Sequence, residues 1–438
     1  LNPVRWFAGG GPAAGVNALD EVPDSAWFTN RMGLSRLSAL ELATGPGAGG
    51  PDRSEPWLII GAKTEGVTAG FRIRDASGQV WLLKFDPPSR PGQSIRAGVV
   101  TNLIFHACGY NTPVDRLVIF DREQLRVGEG ASLRRIRGLG GDLQLTEANL
   151  DSVLQATNSI FDGRYHCLAS KYLEGVPLGP ITHRGTRSDD PNDTVPHDDR
   201  REWRALRVFC AWTDHIDMKI QNSLDMYVGE PGEGHVRHHL IDFASTLGAS
   251  GAEPFAKFGY EYGIDLWATV RRTVTFGLSH DVWQQIAWPE HLDEVGYFSA
   301  DRFDPLAWRP TSPHAAMANL DERDGYWAAK IVSSFTDEDL RVLVAQGEYQ
   351  DPRSVDYLVE HLGRRRDLIA RAWFDRSAPL DFFVCAGATL VGRDLGRERG
   401  IYPGTEASYR WRARPVRDDR SSAQDWTPWS EAPALRLD

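Results

Sequence analysis

The strongest constraint on the fold is a change of period along the chain. From Trp57 the residues follow the alternation of β-strands, in WLIIGA, FRIR and QVWLLKF, with a DASG turn at 75 to 78 between the second and third. Three strands in such quick succession make a small sheet. SIRAGVVTNLIFHACGY (94 to 110) then carries its apolar residues at helical spacing and stops at Gly109. LVIF (117 to 120) is one more strand. From 146 onward the texture is mostly helical, interrupted by YHCLASKYL (165 to 173), a strand that runs out into a connector at EGVPLGP.

Within the helical part, REWRALRVFCAWT (201 to 213) sets Trp203, Leu206, Phe209, Cys210 and Trp212 around one broad face, which predicts a well-buried helix. AAKIVSSF, TDEDLRVLVAQG and DPRSVDYLVEHLGRRRDLIARAWF predict amphipathic helices, the last capped by Asp351 with Pro352 in its first turn. A chain of 438 residues, 41% hydrophobic with 15 Trp, has ample material for the cores these elements need. Around them lie three irregular stretches. Residues 1 to 56 are rich in Gly, Pro and Asp and read as an arm anchored by Trp6, Trp27 and Phe28. HRGTRSDDPNDTVPHDDRR (183 to 201) lacks apolar spacing and reads as a mobile surface insert. Beyond about residue 376, YRWRARPVR and ALRLD alternate as strands of a small β appendage.

The charge balance, 49 basic against 60 acidic side chains for a net charge of -11, argues against nucleic acid or an anionic membrane as the main partner. No apolar run approaches the roughly 18 residues of a transmembrane segment. Cys108, Cys167, Cys210 and Cys385 are far apart among apolar neighbours, which suits small buried residues. HVRHH (235 to 239) has no cysteines or spaced carboxylates to complete a zinc set and reads as a solvated hairpin arm. A chain shown from Leu1, without methionine, is compatible with removal of an initiator, signal or anchor, so a cytoplasmic and an exported location both stay open.

Chemistry concentrates in HIDMKIQN (215 to 222) and in LIDF (240 to 243), where an aspartate closes an apolar run. Together they hold two carboxylates, an ammonium and an amide, the groups that stabilise charge spread over oxygens during phosphoryl transfer. Four specified positions in H-x-D-x-K-x-x-N make this pattern far more specific than any single glycine-rich loop.

The order of elements and these two motifs resemble the protein-kinase superfamily, in the manner of divergent, atypical bacterial kinase-like families, over roughly residues 57 to 375. The resemblance implies an α+β, bilobal protein-kinase-like fold: an irregular N-terminal arm and linker (1–56), a small β-rich N-lobe (57–170), a larger helical C-lobe (171–375) and a C-terminal β appendage (376–438). It implies ATP and Mg as cofactors and an unidentified hydroxyl acceptor, protein or small molecule. By the motif match Asp217 accepts or orients the proton of the attacking hydroxyl, Lys219 neutralises charge on the transferred phosphoryl, and Asn222 and Asp242 hold the metal. Ile216 stands where most members carry arginine, and Ala244 replaces the glycine after Asp242 and Phe243.

Lys84, in WLLKFD, matches the third-strand lysine that pairs with the α and β phosphates. GAKTEGVTAGF (61 to 71), with Gly61, Gly66 and Gly70, is placed to fold over phosphates, and SKYLEGVPLG (170 to 179), with Ser170 and Tyr172, sits where an adenine-binding connector belongs. One departure stands out: between Asp86 and Asp115 there is no acidic residue, and Gly98 falls where the helix should supply a glutamate to hold Lys84. Glu65 is a candidate replacement that would keep the site active. The alternative is a pseudokinase, a nucleotide-binding or non-catalytic scaffold on the same fold.

Overall fold

The computed structural model describes residues 11–63, 70–87, 89–134, 143–157, 160–161, 163–250, 255–387, 389–402, 408–414, 425–431 and 435–436. A short helix α1 (Ala39–Thr44) precedes strands β1 (Trp57–Lys63), β2 (Gly70–Arg74) and β3 (Val80–Lys84), helix α2 (Gln93–Cys108) and strand β4 (Asp115–Phe120). Shorter pieces follow, β5 (Leu125–Val127), β6 (Ser132–Arg134), β7 (Leu143–Gln144), α3 (Glu147–Thr157) and β8 (Ile160–Phe161), before the long strand β9 (Arg164–Lys171). Next come β10 (Val176–Gly179), α4 (Arg201–Arg204), α5 (Leu206–Thr213), β11 (Ser223–Val228) and β12 (His235–Leu240). The remainder is α6 (Leu266–Val274), α7 (Ala315–Ala318), α8 (Glu322–Val332), α9 (Asp337–Ala345), α10 (Pro352–Phe374), β13 (Leu380–Ala386), β14 (Thr389–Asp394), α11 (Leu395–Glu398) and β15 (Leu435–Arg436). This is a mixed helix and sheet protein, compatible with the α+β class expected. Among the described residues no helix is long and apolar enough to cross a membrane.

The main sheet runs in the order β4-β9-β3-β2-β1-β6-β7, with β5 added beside β1 and β8 beside β9. The alternation read in the sequence becomes two faces. Trp57, Ile59, Phe71, Ile73, Trp81 and Leu83 point into one core with Phe120 and Leu154. Lys84 and Leu82 take the other face, toward α2. Because residues directly opposite in an antiparallel pair share a face, and Lys84 pairs with Leu168 while Asp115 pairs with Ser170, these four side chains project to one side of the sheet.

Helix α2 is buried on almost every side, in keeping with a sequence that is not amphipathic. It starts where the Asp86 carboxylate accepts from the backbone N–H of Ser94 (3.1 Å) and Ile95 (3.2 Å). It ends at Gly109, whose φ of +131° and contact with the Phe28 ring admit no side chain. The arm is thereby tied down: Trp27 and Phe28 are buried in a second, larger core with α2, α5, α8 and α10. There Trp212 donates to the Leu362 carbonyl at 3.0 Å. Asp351 caps α10 through the Arg353 N–H, with Pro352 at its first position.

Four expectations need correction. The charged segment 183–201 lies at the surface as expected but is pinned to the body: buried Asp193 binds His197 (2.7 Å) and Arg200 (3.0 Å), and Arg187 binds the buried Asp225 (2.8 Å). HVRHH is not a solvated arm. His238 and His239 are buried in β12, His238 stacked on Trp27 (3.6 Å) and bound to Asp225 (2.6 Å). Cys108, Cys167 and Cys210 are buried, but Cys385 is exposed. In the appendage β13, β14 and β15 form one sheet, so the strand expected in ALRLD is present as β15, while the described part of YRWRARPVR (409–414) lies outside the named strands and bridges from Trp411 to Ser430. Its alternation serves another purpose, since Arg410, Arg412 and Arg414 lie over Trp426 and Trp429 at 4.5 to 5.2 Å.

Candidate functional site

The HIDMKIQN segment leaves α5 at Asp214, which takes a left-handed backbone (φ 53°) and accepts from Trp308 Nε1 at 2.8 Å. Beyond it Ile216 and Met218 turn into the core, which aims the alternate residues Asp217 and Lys219 outward. The Ile216 backbone is clamped on both sides, its N–H to Ser245 and its carbonyl to the Thr311 N–H at 2.8 Å. Asp217 and Lys219 form an ion pair at 2.7 Å. Asn222 donates its Nδ2 to the Asp217 carbonyl (2.6 Å) and to Asp217 Oδ2 (3.3 Å). Two oxygen partners fix which end of the amide is nitrogen, so Asn222 presents its Oδ1 away from them.

Strand β12 delivers Asp242 to the same place. The Ile241 N–H donates to the Asn222 carbonyl (3.0 Å), and Asp242 then adopts φ 64°, a conformation aspartate tolerates better than most residues. The reversal sends Phe243 inward against Phe105 and His215 and leaves the Asp242 carboxylate facing β3. There Lys84 Nζ meets Asp242 Oδ1 at 3.0 Å. Burial works to lower the Lys84 pKa, but the Asp242 and Asp115 carboxylates outweigh it and the net shift is upward. His215, shut in by the two phenyl rings, has its pKa pushed down to about 4 by burial and is neutral at ordinary pH.

Five of the expected site residues therefore come together: Lys84, Asp217, Lys219, Asn222 and Asp242. Ser170 stands within β9, opposite Leu82 and Asp115, and not in the connector. Tyr172 follows the strand, half exposed, with its N–H on the Val80 carbonyl at 3.0 Å. The stretch after it does not stay a plain connector, because Val176–Gly179 pairs with β11. Glu65 and Gly66 lie outside the described residues.

The residue that sequence reasoning missed is Asp115. It is fully buried at the start of β4, where its Oδ2 accepts from Asn102 Nδ2 at 3.1 Å. Burial pushes its carboxyl up to about 6, against the opposing pull of Lys84 and the Ser170 hydroxyl. Its signal was present as the acid that closes the carboxylate-free stretch, leading an apolar run.

Among the described residues no three His, Cys, Asp or Glu side chains converge to hold a metal by themselves. The oxygens of Asp242 and Asn222 suit a hard cation that takes its remaining ligands from water and phosphate. Comparison with protein-family models, with curated proteins and with solved structures finds no match to this chain.

Proposed function

We propose that this chain has a bilobal protein-kinase-like fold and is an ATP- and Mg-dependent phosphotransferase that acts on a hydroxyl acceptor, protein or small molecule. One observation carries the reading: the third-strand lysine and the aspartate of LIDF, 158 positions apart, meet at 3.0 Å beside the HIDMKIQN loop. The order of elements supports it, with three antiparallel strands, a helix, further strands that include β4 and β9 of the same sheet, and then a mainly helical body.

Bound ATP and magnesium would supply the phosphoryl group and the counter-charge. Asp242 and Asn222 are the residues to hold the metal, and Lys84 to orient the α and β phosphates. Asp217, held by Lys219 and Asn222, is placed to take the proton of the acceptor hydroxyl. Lys219 can then turn from Asp217 to the charge that develops on the transferred group. Incubation with labelled ATP and magnesium tests the reading: transfer or hydrolysis is expected from the wild type and is lost in Asp217→Ala.

A pseudokinase is the second reading, and one observation favours it. Helix α2 carries no carboxylate, and a Cβ on Gly98 would lie 3.2 Å from Leu168 Cδ1 and 3.6 Å from the Phe243 backbone, too close to admit a larger residue freely. Nucleotide binding without transfer would select it.

A further inference from the structure

Lys84 pairs with Asp242, but a metal ion would claim the same carboxylate. An ammonium released by Asp242 needs another anion to hold it toward the phosphates, and Gly98 cannot provide one. The strand register does. Lys84 is opposite Leu168, Asp115 is opposite Ser170, and Leu168 and Ser170 point to the same face of β9. Asp115 thus stands on the same side of the sheet as Lys84, with one strand between them. Its Oδ2 is fixed by Asn102, whose amide is itself fixed by the Pro113 carbonyl (3.1 Å) and the Thr112 hydroxyl (3.2 Å). Its Oδ1 is buried without a hydrogen bond of its own, the neighbouring Ser170 hydroxyl being the other polar group that acts on this carboxyl. A buried carboxylate oxygen kept unpaired is costly unless a cation offsets it.

We propose that Asp115 is a positioning residue for Lys84, the carboxylate that holds the ammonium when Asp242 turns to the metal. The assignment rests on the phosphotransferase reading and goes one step beyond it: the anchor of the phosphate-binding lysine comes from a strand and is supported by Asn102 of α2, where a helix glutamate was expected. Glu65 is then not needed for that role. The charged groups that act on Asp115 are Lys84 from β3, Asp242 after β12 and its own neighbour Arg116. Arg116 is turned away, its guanidinium on the carbonyls of Thr44, Gly47 and Asp115.

The test uses the full chain as wild type, Asp115→Asn and Asn102→Ala, with two readouts. The first is acylation of Lys84 by acetic anhydride, followed by mass spectrometry across the alkaline range. It needs no nucleotide. Loss of the Asp115 charge is expected to move the labelling midpoint down by about one pH unit. The second is the Michaelis constant for Mg-ATP, expected to rise about tenfold in Asp115→Asn as orientation of Lys84 is lost. A purely structural Asp115 would change the melting temperature and leave the labelling profile where it was. Wild-type labelling and wild-type ATP constants in folded Asp115→Asn overturn the proposal. Should Asp115→Asn not fold, Asn102→Ala decides, with a smaller shift in the same direction expected and no shift overturning it. A wild type that neither binds nor turns over ATP overturns the phosphotransferase reading separately, and the labelling then still shows whether Asp115 holds Lys84.

Discussion

Lys84 Nζ lies 3.0 Å from Asp242 Oδ1, a contact that joins β3 to the turn after β12. Both side chains keep part of their surface in solvent, at 27% and 45% exposure, so the pair is poorly placed to stabilise the fold and well placed to meet a ligand. Asp242 reaches it only through a left-handed backbone, set by the Ile241 N–H on the Asn222 carbonyl.

Lys84→Met should therefore separate function from stability. Thermal denaturation is expected to change by no more than the ~1 kcal/mol that a partly exposed pair contributes. ATP turnover is expected to fall below detection. A large drop in melting temperature would mean that the lysine is a structural residue.

Asp86 makes a prediction about pH. Burial raises its carboxyl to about 7, above the 3.8 it has when exposed, so the ionised form burdens the folded state. That penalty, up to roughly 4 kcal/mol, is complete above about pH 7, shrinks as the pH falls, and is gone below the unfolded value. Asp86→Asn keeps an oxygen for the Ser94 and Ile95 N–H groups and removes the charge. It should melt higher than wild type near pH 8, and the two curves should converge toward about pH 4. A constant difference across that range would contradict the assignment.

Lys330 is almost fully buried in α8 and ties two distant segments together, bound to Glu21 of the arm and to Asp381 of β13 at 2.8 Å. Lys330→Met leaves both carboxylates without their cation, a change expected to cost about 3 to 5 kcal/mol. Urea denaturation measures it. A variant as stable as wild type would show that the arm and β13 are not held by this ammonium.

Gly109→Ala probes how the arm is seated. A Cβ there would come within 2.2 Å of the Phe28 ring on a backbone with φ +131°. Strain alone accounts for about 1 to 3 kcal/mol, and displacement of Phe28 from the core adds to it. Limited proteolysis should then cut near Trp27 and Phe28 first. Protection equal to wild type would separate the arm from this glycine.

Much of this site could be read before the fold was known, for local reasons. Alternation in VWLLK placed Lys84 on a strand face, and Asp242 ended an apolar run. Ile216 and Met218 alternated with Asp217 and Lys219. Asp115 could not be read that way, because its closeness to Lys84 depends on β9 inserting between β3 and β4, a pairing of strands far apart in sequence. His238 and the 183–201 segment were misread for a related reason. Their polar composition suggests solvent, but Trp27 of the arm covers His238 and His197, and Asp193 and Asp225 hydrogen-bond their ring nitrogens. In the appendage, alternation of arginine with aromatic residues mimicked a strand while serving cation–π contacts.

Calorimetric titration of Mg-ATP into wild type, Lys84→Met and Asp242→Asn tests the central claim most directly. The account predicts magnesium-dependent binding to wild type, weaker binding to Lys84→Met, and loss of the magnesium dependence in Asp242→Asn. Absence of binding to wild type, or equal magnesium-dependent affinity in all three, would contradict it.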